Sequence, residues 1–126
     1  MPLKFVLADK PIVVKWPVYL PEPQDGGTIK KHKITVHFLA EPTEVQQERW
    51  KQMNDRTSSG DPHAALKAQQ EMLEAVFVGW DEVWGEDDQP LAFTDETRDR
   101  MVAYPWRRDA ILDAYNQMAK GQKAKN

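Results

Sequence analysis

Two periodicities divide the chain. Up to about residue 40 β-branched and aromatic residues dominate, with a clear period of two between Thr28 and Ala40, and beyond it apolar residues recur at three- and four-residue spacing. Residues 3–21, LKFVLADKPIVVKWPVYLP, are rich in β-branched and aromatic side chains and are interrupted by Pro11, Pro17 and Pro21. Proline cannot donate to a sheet ladder, so this stretch predicts edge strands. The run EPQDGG at 22–27 predicts a turn or a mobile loop. Between Thr28 and Ala40, Ile34, Val36 and Phe38 alternate with Thr35, His37 and Leu39, which gives a strand with one apolar face. The two stretches are expected to pair as an antiparallel ribbon across Asp25-Gly26-Gly27. A bare hairpin is marginal in water, so the ribbon must pack on helices or on another subunit.

Past Pro42 the pattern becomes helical. Thr43 is placed as an N-cap with Gln46 three residues on, and Val45, Trp50 and Met53 form a weak apolar stripe. Residues 54–60, NDRTSSG, predict a flexible connection. Asp61-Pro62 restarts a helix, an N-cap followed by proline at the first helical position. That helix carries Ala65, Leu66, Met72, Leu73, Val76 and Phe77 on one side, with Gly79 as its stop. Thr94 caps a short helix reaching Ala103, and Asp95 and Glu96 suit its positive end. Pro105 opens a last helix with Ile111, Leu112, Tyr115 and Met118 on one face. The expected class is α+β: an N-terminal β-ribbon or small antiparallel sheet followed by about four α-helices. Residues 1–126 form a single domain, β-rich over 1–40, helical over 41–118, with a basic tail at 119–126 expected to be disordered.

Composition narrows the function classes. With 40% hydrophobic residues and five tryptophans, the chain can bury a core. No apolar run approaches the ~20 residues that span a bilayer, and no long apolar stretch marks a leader. The absence of cysteine removes disulfides, thiol catalysis and zinc–thiolate sites, which fits a cytoplasmic protein. Six lysines against three acids give residues 1–40 a charge of +3; eleven basic against seventeen acidic residues give the remainder −6. Two faces with different partners would produce this asymmetry, and so would an ordinary solvated surface.

No catalytic constellation is legible. His32 and His37 fall on opposite faces of one strand, and His63 lies in a helix first turn. Asp81, Glu82, Glu86, Asp87 and Asp88 put five carboxylates in eight residues, but not at calcium-loop spacing; a solvated turn or a contact to a basic partner fits better. Gly26-Gly27 has no following helix to make a phosphate cradle, and Ser58-Ser59-Gly60 lacks the setting of a nucleophile elbow. Lys30, Lys31, His32 and Lys33 beside a strand are weak grounds for nucleic-acid binding in a chain of pI ≈ 5.6. The expectation is a protein without enzymatic activity, cofactor, metal, nucleic acid or membrane as partner.

The most informative segment is FVGWDEVWGEDDQPLAFTD at 77–95, where two tryptophans and a phenylalanine bracket an acidic turn. Gly79, Trp80, Pro90 and Phe93 are read as a rigid elbow between helices, with Trp80 and Phe93 inside. Trp84 and Trp106, each flanked by charge, are the first candidates for a contact surface. Tyr104 and the last-helix residues Ile111 and Tyr115 join them as candidate partner-binding residues.

Over roughly residues 66–118 the chain resembles the tail assembly chaperones of long-tailed bacteriophages. The matching positions are Gly79-Trp80, Glu86-Asp87-Asp88, Pro90-Leu91-Ala92-Phe93 and Ala114-Tyr115, with Thr94-Asp95-Glu96 and Tyr104-Pro105 between them. Family members often place glycine just before Gln-Pro or Glu-Pro; Asp88 stands there in this chain, so a different turn type is expected. The resemblance implies a protein made in the host cell cytoplasm and absent from the finished tail. Its implied partners are the aggregation-prone tape measure protein and the tail tube protein, with self-association as a further option. It also implies a longer form made by translational frameshifting beyond the basic tail. The alternative is a structural tail-completion or connector protein.

Overall fold

The computed structural model describes residues 5–7, 12–58 and 60–124. Strands β1 (Ile12–Pro23) and β2 (Ile29–Ala40) form an antiparallel ribbon from Ile12↔Ala40 to Pro23↔Ile29. A single 3-10 turn, Asp25–Gly27, joins them, with Gly26 at φ 83 and Gly27 at φ 80, a conformation that glycine adopts without Cβ strain. Helices α1 (Thr43–Thr57) and α2 (Pro62–Val76) follow, then strand β3 (Phe77–Asp81), then α3 (Asp95–Met101) and α4 (Pro105–Ala119). The expected α+β class is realised as a three-stranded antiparallel sheet, order β1-β2-β3, with four helices. Pro17 and Pro21 lie on an edge strand; Pro11 falls outside the described residues.

The alternation in β2 does what its pattern predicts. Ile34, Val36 and Phe38 are buried, and so are their inward neighbours Val18 and Leu20 on β1. Helix α4 packs along β1, and α2 packs across β2 and β3. Met72, Leu73 and Val76 of α2 and Ile111, Tyr115 and Met118 of α4 meet the sheet in one core. There the Phe38 and Tyr115 rings pack edge to face at 5.5 Å. Asp61 caps α2 by accepting a hydrogen bond from the His63 amide at 3.0 Å, with Pro62 at the first position. Arg98 of α3 is buried and pairs with Asp95, Asp99 and, across on α2, Glu74.

Five local expectations are corrected. Phe77–Asp81 is neither helix end nor elbow: it pairs with β2, Val36 opposite Trp80 and His37 opposite Gly79. Gly79 is therefore a strand residue; a Cβ there would lie 2.5 Å from His37 Nδ1, so the imidazole occupies the space a side chain would need. Thr43 does not cap α1. The helix starts one residue earlier in its hydrogen bonding, with the Pro42 carbonyl accepting from the amides of Val45 and Gln46, both at 3.1 Å. The helix also runs through most of the expected connection, ending at Thr57, and Arg56 in its last turn pairs with Glu71 of α2. Finally, α3 stops at Met101, and Ala119 of the expected tail belongs to α4. Lys125 and Asn126 lie outside the described residues.

Candidate partner-binding groove

The chain leaves the sheet at Glu82, whose φ of 67 turns the backbone away from β2. Residues 83–91 then fold back on themselves. The Leu91 amide donates to the Val83 carbonyl at 2.9 Å, and the Gly85 amide to the Gln89 carbonyl at 2.8 Å, so Trp84 faces Pro90 across a bridge. Asp88 occupies a left-handed position at φ 57, which aspartate tolerates better than most side chains. Asp87 steadies the turn by accepting from the Gln89 amide at 3.1 Å.

Two aromatics fasten this loop to the core. The Trp80 indole N–H donates to the Leu91 carbonyl at 2.8 Å. The Phe93 ring stands 5.0 Å from Trp80, nearly perpendicular to it, and 5.3 Å from Phe77. Trp80 is buried and Phe93 partly buried, in keeping with the inward placement expected of both, although Trp80 sits on a strand and not in an elbow. Immediately afterwards Thr94 and Thr97 close a reciprocal capping box, each hydroxyl accepting from the other's amide, at 3.1 and 2.9 Å. Loop and helix α3 are thus held at both ends.

Between this loop, the α3–α4 corner and the far end of the ribbon lies an open groove of ≈ 770 Å³. Trp84, Tyr104 and Trp106 all line it, together with Leu20, His32 and Ile34 of the sheet. Trp84 is 62% exposed and Tyr104 56% exposed; Trp106 is partly buried and also borders a second cleft of ≈ 480 Å³ between β1 and α4. The Arg107 guanidinium lies over the Tyr104 ring at 4.2 Å and near the Trp106 ring at 5.3 Å, and it donates to the Arg100 carbonyl at 2.9 Å. Burial pulls the Arg107 guanidinium below its ordinary value. Sequence reasoning did not single out Arg107; its position beside Tyr104 and Trp106 was the only indication.

The structure separates the remaining candidates. Ile111 and Tyr115 are completely buried beneath the sheet, so they pack the core and offer no contact surface. An apolar helix face in a single domain turns toward the sheet, and here it does. Burial also pushes the Tyr115 hydroxyl above its ordinary value.

The five carboxylates do not converge. Asp81 accepts from His37 Nε2 at 2.9 Å and lies 3.7 Å from Lys15; Glu82 lies 3.8 Å from Lys33. The His37 hydrogen bond holds the Asp81 carboxyl below its ordinary value, with Lys15 adding to it. Glu22, beside Gln24 and His32, is lowered for the same kind of reason. His32 and His37 sit on opposite faces of β2, His32 toward the groove and His37 over Gly79. Among the described residues no group of three His, Asp or Glu side chains is arranged to hold a metal ion.

Comparison of the chain with protein-family models, with curated proteins and with solved structures returns no match. Among the described residues no helix is long and apolar enough to cross a membrane.

Proposed function

We propose that this protein is a bacteriophage tail assembly chaperone that acts by binding and not by catalysis. Its groove would take an apolar segment of the tape measure protein and keep that segment covered until tail tube subunits are recruited around it. The observation that carries the reading is Trp84. A large aromatic side chain sits mostly in solvent on a loop whose backbone is fixed by its own hydrogen bonds and by Trp80. Fixed, exposed aromatics beside arginine are the residue types that dominate binding energy at interfaces, because their ordering cost is already met in the free protein. Tyr104, stacked under Arg107, supplies a second such surface across the groove. The resemblance of residues 66–118 to tail assembly chaperones supplies the partner's identity.

The test is co-expression with the large coiled-coil protein encoded downstream of the gene. The expected result is that the large protein stays in solution only with this chain and co-purifies with it. Trp84→Ala and Trp106→Ala should each keep the fold and weaken capture, by roughly 2–4 kcal/mol if they are anchoring residues. If the large protein precipitates equally with and without this chain, the chaperone reading fails. Mass spectrometry of purified particles would then be expected to find the protein at fixed copy number, as a tail-completion or connector protein.

A further inference from the structure

The outer edge of β1 and the part of β2 that β3 leaves uncovered are treated differently by the chain. Along β1, Pro17, Pro21 and Pro23 stand opposite Thr35, Lys31 and Ile29. Proline has no N–H, so these odd-numbered positions are the ones that turn away from the partner strand in an antiparallel ladder. They strip donors from the outer edge of β1, a common way to protect an edge from further pairing. By the same alternation the odd positions of β2 turn their N–H and C=O toward β3. Strand β3 covers only part of that edge: its register begins at Thr35↔Asp81, and Glu82 then swings out of the sheet. Lys33, the next odd position, has no strand beside it among the described residues, and it lines the groove. At the end of this edge Ile29 is 63% exposed. No proline occurs in β2 to protect it.

A second feature of the same chain lacks a partner among the described residues. Phe5, Val6 and Leu7 are 87%, 68% and 79% exposed, three successive apolar side chains in solvent. Such a run is unfavourable unless something covers it. Its own edge is too far for the whole run. Lys33 pairs with Tyr19, seven residues along β1 from Ile12, which is about 23 Å at the rise of a strand. The five residues from Leu7 to Ile12 span at most about 18 Å and the seven from Phe5 about 25 Å, so no more than Phe5 could reach Lys33 of its own chain and the arm cannot lie along that edge as a strand.

We infer that the Phe5–Leu7 arm of one copy adds as a strand to the open β2 edge of a second copy, starting beside Lys33 and entering the groove. Main-chain hydrogen bonds to the edge supply the pairing, and the arm's apolar side chains reach the aromatic lining, as in other strand additions to sheet edges. The inference rests on the groove as a binding surface and not on which outside protein it serves. A bound arm and an outside partner would compete for Trp84.

The experiment measures the mass of the full chain in solution by light scattering against concentration. The wild type is expected to associate reversibly. Phe5→Asp/Leu7→Asp should be monomeric, and so should Lys33→Pro, which removes the edge donor. A mixture of the two variants should associate again, because one retains the edge and the other the arm. If Lys33→Pro proves unfolded by circular dichroism, a synthetic peptide of residues 1–11 takes its place and should dissociate the wild-type assembly in excess. A wild type that stays monomeric, or an arm variant that associates as the wild type does, overturns the inference. So does a mixture of folded variants that stays apart, or a peptide without effect. A monomeric wild type that still captures the tape measure protein would remove this inference and leave the proposed function standing. An associating chain that captures nothing would do the reverse.

Discussion

Replacing Trp80 with alanine should be the most damaging change to the loop that carries Trp84. The indole is buried, packs on Phe93 at 5.0 Å and on Phe77 at 6.0 Å, and donates to the Leu91 carbonyl at 2.8 Å. Emptying a large aromatic site costs about 3–5 kcal/mol. Of this, the hydrogen bond accounts for roughly 0.5–1.5 kcal/mol. Trp80→Phe, which keeps an aromatic body and loses the donor, should therefore cost only about 1–2 kcal/mol. For a chain of 126 residues a loss of ~3–5 kcal/mol lowers Tm by roughly 10–25 °C. Far-ultraviolet circular dichroism through a urea titration reads the difference without depending on the other four tryptophans. A Trp80→Ala cost below about 1 kcal/mol would refute the anchoring argument, since no buried aromatic is emptied so cheaply. Equal costs for the alanine and phenylalanine variants would refute the partition between packing and hydrogen bond.

Gly79→Ala should destabilise by about 1–3 kcal/mol through the clash with His37 Nδ1, and His37→Ala in the same chain should recover most of it; thermal unfolding of the double variant checks this. Asp81 is depressed in the folded state, so its stabilisation is present above the ordinary aspartate value and is lost as pH falls through the lower folded one. Asp81→Asn should flatten the acid side of the stability curve below about pH 4, measured by urea midpoints at successive pH values. Arg49 holds Glu41 through two hydrogen bonds of 2.6 and 2.7 Å, and the Glu41 carboxylate is only 10% exposed. Arg49→Ala should cost near the lower end of about 3–5 kcal/mol by leaving that charge unpaired, and the cost should shrink when Glu41→Gln is added.

The elements that were legible in the sequence are those decided within a few residues. Asp61-Pro62 starts α2 and Thr94 starts α3 because each cap is made by side chains next to the amides they satisfy. The alternation of Ile34, Val36 and Phe38 marked the inner face of β2 because one buried face leaves a period of two. Strand β3 escaped because Val76, Phe77 and Trp80 fit the three- and four-residue spacing of a helix equally well; only the cross-strand partners Val36 and Phe38, some forty residues earlier, settle the matter. The misassignment of Gly79 followed from it. The same distinction between near and far accounts for the groove. Trp84 and Trp106 stood out locally as aromatics among charges, with Tyr104 close by, but Ile111 and Tyr115 share their helix with Trp106 and lie under the sheet instead. Composition places an aromatic at a surface or a core with nearly equal ease. What separates the two here is the direction in which α4 leaves Pro105: one face runs along β1, and its first turn is left beside the mouth of the groove. A site assembled from a loop, a helix corner and a strand edge that are distant in the chain has no compact motif, so its chemistry emerges only when those three are set against one another.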